Sequence, residues 1–274
     1  MKKILTALTA AAVLSGSAYA ADLPARMPMK AAPPPVPVMT WTGCYLGAGG
    51  GGGMYNNDSY LVTNPAVVPG AIVRESSDLT QGGKGWLATV QGGCDYQFAG
   101  TKFVIGAFAD GDWTNIRGDH TGDVPGLVGL AATDTQTLNW QWAVGGRLGY
   151  EVLPGLLTFV SGGYTQANFS GATYRFGGTA GFPNGLTGDH INSRDYHGWF
   201  IGTGDEYSLA NWLPGLFWKT EYRYSRFESQ DVPVLSNTTG LPNGISERTK
   251  FDVQTVRSEL VYRFNWGAPL VAKY

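Results

Sequence analysis

Leu138-Asn139-Trp140-Gln141-Trp142-Ala143-Val144-Gly145-Gly146-Arg147-Leu148-Gly149-Tyr150-Glu151 is the stretch on which the fold turns. Leu138, Trp140, Trp142, Val144, Gly146, Leu148 and Tyr150 fall on one face. Asn139, Gln141, Ala143, Gly145, Arg147, Gly149 and Glu151 fall on the other. A period of two held this long marks a β-strand with one apolar and one polar side. The pattern returns near the C-terminus. Leu216, Trp218, Thr220, Tyr222 and Tyr224 oppose Phe217, Lys219, Glu221, Arg223 and Ser225, and Val256, Leu260, Tyr262 and Phe264 oppose Arg257, Glu259 and Arg263. The polar faces mix charges of both signs at close spacing, which suits a confined interior better than the water-facing side of a soluble β-sandwich. The run at about 156–173 alternates poorly and its faces stay unassigned.

Two kinds of connection separate these runs. Ala99-Gly100-Thr101-Lys102, Leu153-Pro154-Gly155 and Asn211-Trp212-Leu213-Pro214-Gly215 are short. The segments at about 55–83, 114–137, 174–194 and 233–248 are long and rich in Gly, Pro, Asn, Ser and Thr. Long and short alternate, and seven connections imply eight strands. Short turns on one side and long loops on the other are the layout of bacterial outer-membrane barrels, whose termini lie in the periplasm. The expectation is therefore all-β: an eight-stranded antiparallel up-and-down transmembrane β-barrel of a Gram-negative outer membrane. Trp113, Trp140 and Trp199 on the loop side, with Tyr96, Tyr150, Tyr207 and Trp218 on the turn side, fit two aromatic girdles.

The N-terminus reads as an address. Lys2 and Lys3 precede an apolar run, Ile4 to Leu14, too short to span a bilayer, and Ala18-Tyr19-Ala20 closes with small-x-small spacing. Residues 1–20 are thus expected to be a cleavable signal peptide, 21–40 a Pro-rich periplasmic leader, and 41–274 the barrel. Losing Lys2 and Lys3 takes the formal charge from −2 to −4. With no Lys/Arg block, nucleic acid is not an expected partner. The chain has 40 glycines, 13% aromatic and only 15% charged residues. A mean hydropathy of −0.11 fits a barrel whose polar interior offsets its lipid face.

Several strings resemble the small porin-like proteins of alphaproteobacterial outer membranes, the outer membrane immunogenic protein family. They are Ala21-Asp22-Leu23-Pro24, Trp41-Thr42-Gly43-Cys44-Tyr45-Leu46-Gly47, Gly106-Ala107-Phe108-Ala109-Asp110, Gly198-Trp199 through Gly204 with Glu206-Tyr207, and Tyr262-Arg263-Phe264-Asn265-Trp266-Gly267. The resemblance implies an OmpA-like eight-stranded barrel, abundance and immunogenicity. The chain departs from the family pattern at Cys44, Cys94, Phe108 and Asp205. Phe108, in place of an interior Glu, should dry that level of the lumen. Asp205 falls on the lipid side near the periplasmic end, where a charge costs least.

Cys44 and Cys94 fall at similar depth on the outward faces of the first two strands. They are a candidate cross-strand disulfide, and two unpaired thiols is the equal alternative. The lumen is expected to hold Asp95, Asp110, Asp112, Glu151, Glu206, Glu221 and Glu259 with Arg147, Lys219, Arg223, Arg257 and Arg263. An eight-stranded barrel leaves room only for side chains, so these charges should form a plug rather than a pore.

Function is expected to be structural, in envelope integrity and as a surface antigen, with a narrow passive porin as the alternative. A lipid-modifying enzyme is less favoured. His120, His190 and His197 lie outside any arrangement that fixes a Ser nucleophile, and no catalytic, metal or cofactor residues are assigned. Expected partners are outer-membrane lipid, the barrel-assembly machinery, and antibodies or host surfaces at the loops. The role of 265–274 is left open.

Overall fold

The computed structural model describes residues 40–123, 131–176 and 186–264. The expected signal peptide (1–20), nearly all of the expected leader (21–40) and residues 265–274 lie outside the described residues. Strands are β1 (Gly43–Thr63), β2 (Leu79–Gln97), β3 (Phe103–Asp123), β4 (Ala131–Leu153), β5 (Leu156–Phe169), β6 (Ala172–Phe176), β7 (Leu186–Ile191), β8 (Arg194–Ser208), β9 (Leu216–Phe227), β10 (Gln230–Ser236) and β11 (Pro242–Phe264). Every pairing is antiparallel, and β1 closes the sheet by pairing with β11 from Cys44↔Phe264 to Thr63↔Ile245. The lower ring runs β1-β2-β3-β4-β5-β8-β9-β11. Eight strands and full closure leave no edge to satisfy in lipid.

Above the membrane belt β6, β7 and β10 carry the ring on. β6 pairs with β4 and β7, β7 with β10, and β10 with β11. Each is the continuation, after two residues, of a lower strand: β5 into β6, β7 into β8, β9 into β10. The breaks fall at Ser170-Gly171, Asn192-Ser193 and Glu228-Ser229. Much of what reads as loop in the sequence is therefore strand. The segments 55–63, 114–120, 134–137 and 242–248 extend β1, β3, β4 and β11 above the apolar belt, where polar outward residues no longer face hydrocarbon.

The short turns are built on glycine. Gly100, Gly155 and Gly215 have φ of 72°, 81° and 86°, in the left-handed region that side-chain-bearing residues avoid. A second correction concerns β4. Register shifts lie between Leu138 and Trp140 on β4 and between Trp113 and Ile116 on β3. Such a bulge reverses which residues face inward. Leu138 is buried, Asn139 is exposed and Trp140 is half-buried, so strict alternation misplaces the first residues of that strand. On β5 the inward set is Leu157, Phe159, Ser161, Thr165, Ala167 and Phe169, while Thr158 and Val160 are exposed. Its poor alternation arises because its inner face is itself largely apolar.

Outward residues make an apolar belt, with Leu46, Val90, Ile105, Val144, Val160, Ile201, Val256 and Leu260 all at 44% exposure or more. Trp113 and Trp199 bound it on the loop side, Tyr96, Tyr150, Tyr207 and Trp218 on the turn side. Asp205 is exposed at the turn end and accepts a 2.6 Å hydrogen bond from the Thr158 hydroxyl across the strand pair.

Candidate functional site

Among the described residues the lumen is where charged side chains concentrate, and it is organised in levels. At the periplasmic end two arginines face two carboxylates. Arg147 on β4 donates through Nε to Asp95 Oδ1 at 2.8 Å and through Nη1 to Glu206 Oε2 at 3.1 Å, and its Nη2 also meets Asp95. Arg263 on β11 donates to Glu206 Oε1 from Nε and Nη2 at 2.8 and 2.7 Å, and to Asp95 Oδ2 from Nη1 at 2.6 Å. The same Nη1 reaches the Trp41 carbonyl at 3.1 Å, so Trp41 lids this level. All four charged side chains are buried. Each charge has two opposite neighbours, and only such dense pairing offsets their desolvation.

Above it, Phe108, Phe159 and Phe200 line the middle of the lumen. Lys219 Nζ lies 5.5 Å from the Phe159 ring centre, and the Arg223 guanidinium 4.2 Å from that of Phe200. Phe108 is 5% exposed and packs edge-on to Phe200, so this level is dry. Lys219 then donates to Glu221 Oε2 at 2.8 Å and Gln91 Oε1 at 2.6 Å, with Glu259 Oε1 at 3.4 Å. Arg223 grips Asp110 with both terminal nitrogens at 2.9 and 2.8 Å, and Arg257 reaches Asp110 at 3.0 Å and Asp112 at 3.3 Å. The structure thus brings Asp110, Glu221, Arg223, Arg257 and Glu259 into one cluster and places Arg147 and Arg263 in the separate level beneath it. Glu151 joins neither. It sits half-buried at the lower mouth, accepting from the Gly155 backbone N–H.

The upper lumen holds what alternation does not reveal. Phe169 and Phe251 stack with ring centres 3.8 Å apart, ringed by Tyr55, Tyr196, Phe227 and Ile116, all buried. Beyond this aromatic seal, His120 and Glu247 face one another at 3.2 Å with 1% and 2% of their side chains exposed. Tyr174 Oη donates to Glu247 Oε2 at 2.6 Å. Burial alone would push the imidazole toward neutrality, but Glu247 outweighs it and raises His120 above its ordinary value. Burial likewise opposes the Glu247 carboxylate, and His120 holds it below its usual range. His120 therefore belongs to a strand interior and not to a loop. One signal pointed there: β11 is unbroken, so the inward parity of Arg257 and Glu259 extends to Phe251 and Glu247.

The remaining histidines are exposed or partly so. His190 Nδ1 meets Asn237 Oδ1 at 2.6 Å and His197 Nδ1 meets the Tyr164 hydroxyl at 2.5 Å. Among the described residues no Ser hydroxyl is hydrogen-bonded to a His, and no group of three or more His, Cys, Asp or Glu is arranged to hold a metal. Cys44 and Cys94 are direct cross-strand partners of β1 and β2, with Cα atoms 3.9 Å apart and their sulfurs bonded.

No protein-family model matches the chain. It is 29% identical over 269 residues to the 31 kDa outer-membrane immunogenic protein of Brucella melitensis biotype 1, spanning 96% of this chain and all of the relative. The protein of the same name from Brucella suis biovar 1 matches over the same span at the same identity. The outer membrane protein OprG of Pseudomonas aeruginosa superposes with a TM-score of 0.50 over 81% of this chain and 97% of its own, at 13% identity, a likeness of fold alone. The resemblance to outer membrane immunogenic proteins runs the length of the sequence, and the chain is an outer-membrane β-barrel protein presenting surface loops.

Proposed function

We propose that this barrel is a structural, non-conducting and non-catalytic element of the outer membrane. Residues 1–20 would direct export and be removed, and 21–40 would lie in the periplasm. Its belt engages outer-membrane lipid, insertion depends on the barrel-assembly machinery, and the loops meet antibodies or host surfaces, as the name of the Brucella relatives suggests for them. The Cys44–Cys94 bridge has a structural role, tying β1 to β2 near the periplasmic end.

The carrying observation is the unbroken succession of filled levels inside the barrel. Paired guanidinium and carboxylate groups, then phenylalanines, then a second charged cluster, then the Phe169–Phe251 seal occupy the lumen in series. Interior charges bound this tightly fix the barrel's cross-section instead of conducting. In planar bilayers the purified full chain should give no stable single-channel steps, and large steady currents would overturn the proposal.

A narrow passive pore is the second reading. Gln141, Thr255 and the Nε of Arg257 are buried without a protein hydrogen-bond partner, and such lumen-facing polar atoms suit a hydrated path. The same bilayer experiment separates the two.

A further inference from the structure

The outer surface of the barrel carries a feature that a lumen-based function leaves unused. Lys84 on β2 and Arg117 on β3 are direct cross-strand partners, both exposed and both facing outward. Like charges placed opposite each other repel and destabilise a strand pair. Among the described residues neither has a carboxylate within ion-pair distance, nor does the exposed Arg194, whereas Arg74, Arg226 and Arg248 each have one, in Asp78, Asp252 and Asp231. Arg117 is instead held by Asn115, whose side-chain oxygen accepts from its Nε.

The pair lines a groove of about 460 Å³ with Met54, Asn56, Gly82 and Asp119. Gly82, opposite Asn56 on β1, has no side chain to fill it. Asp119 stands at the upper lip, so two cations face one anion. The depth of the groove is set by the girdle. Lys84 lies two residues beyond Trp86 and Arg117 four beyond Trp113, tryptophans 57% and 59% exposed at the loop-side edge of the apolar belt. At strand rise those offsets are about 7 and about 13 Å, which places both cations in the headgroup layer of the outer leaflet.

We propose that Lys84 and Arg117 together bind a phosphate group of an outer-leaflet glycolipid, fixing one lipid against the β1–β2–β3 face. The phosphate would remove the repulsion between the two cations. The guanidinium supplies paired donors and the ammonium a point charge, the division of labour usual for phosphate.

The test uses the full chain in phosphatidylcholine vesicles alone, with added lipopolysaccharide, with the same lipopolysaccharide enzymatically dephosphorylated, and with inorganic phosphate at matched concentration. Bound lipid is counted by mass spectrometry after purification, and the heat-induced mobility shift on gels reports stabilisation. Phosphorylated lipopolysaccharide should be retained and raise the transition temperature. The dephosphorylated form and free phosphate should do neither, and the double variant Lys84→Gln/Arg117→Gln should bind at least about tenfold more weakly. Lys102→Gln, on the turn side, should bind as the unaltered chain does. Equal retention of the dephosphorylated lipid, the same protection from free phosphate, or undiminished binding by the double variant would each overturn the proposal. The lipid comparison needs no variant, so a folding defect in the double variant leaves the test intact.

Discussion

His120 and Glu247 show how one buried contact sets a pH window. The folded-state pKa of His120 lies above its ordinary 6.5, so its contribution is complete below that value and is lost as pH rises through the raised one. Glu247 lies below its ordinary 4.5, so its contribution is present above that value and is lost as pH falls through the lowered one. The extracellular half should be firmest between the two and loosen on the alkaline side. Hydrogen exchange of β3 and β11 above the aromatic seal, compared at about pH 6 and about pH 9, should show this loosening. The same comparison in His120→Gln should show much less of it, and equal loosening in the variant would remove His120 as the cause. Gly51 makes a different residue-level case. A Cβ there would lie 1.9 Å from the Val256 carbonyl, at the β1–β11 seam. Gly51→Ala should therefore cost about 1–3 kcal/mol or more, read as a lower temperature for the gel-mobility transition. A transition no lower than that of the unaltered chain would show that the seam has slack.

At the scale of strands, the lower charged level ties together β2, β4, β8 and β11 through Asp95, Arg147, Glu206 and Arg263. Arg263→Met strands two buried carboxylates with one arginine and should cost about 3–5 kcal/mol. Adding Glu206→Gln leaves the Arg147–Asp95 pair balanced and should recover part of that loss. A double variant as unstable as the sum of its singles would show the level is not coupled. These four residues were legible because β2, β4, β8 and β11 keep strict parity through the belt, where lipid outside and charge inside enforce it. Above the belt that contrast vanishes, since water lies outside and aromatics lie within. Leu138 then reads as an outward residue and Glu247 as a loop residue although both are buried. The bulge at Leu138–Trp140 compounds this, for an inserted residue leaves no mark on composition. The Cys44–Cys94 neighbourhood was legible to within a residue or two, because turn lengths fix depth, but bonding is decided by register.

For the whole molecule, the strands are about twice as long as a bilayer requires. β4 and β11 have 23 residues each, against the roughly 9–11 that a tilted strand needs to cross. The barrel therefore has a lipid-embedded half held by charge pairs and an upper half held by an aromatic core of the kind water-soluble proteins use. The two fillings block the lumen in series, and a series block has a specific consequence for conductance. Removing the Phe169–Phe251 stack as Phe169→Ala/Phe251→Ala should destabilise the upper half by several kcal/mol, at about 3–5 kcal/mol for each fully buried phenylalanine. Ion current should nonetheless stay at baseline, because Arg223 and Arg257 still close over Asp110 below. Replacing Arg223 and Asp110 with alanine in that background should still leave planar bilayers without channel openings, because the Phe108–Phe200 level and the Arg147–Arg263 level remain beneath. Openings from the aromatic variant alone would mean that the charged levels are permeable, and that the phenylalanines are the sole gate of a pore.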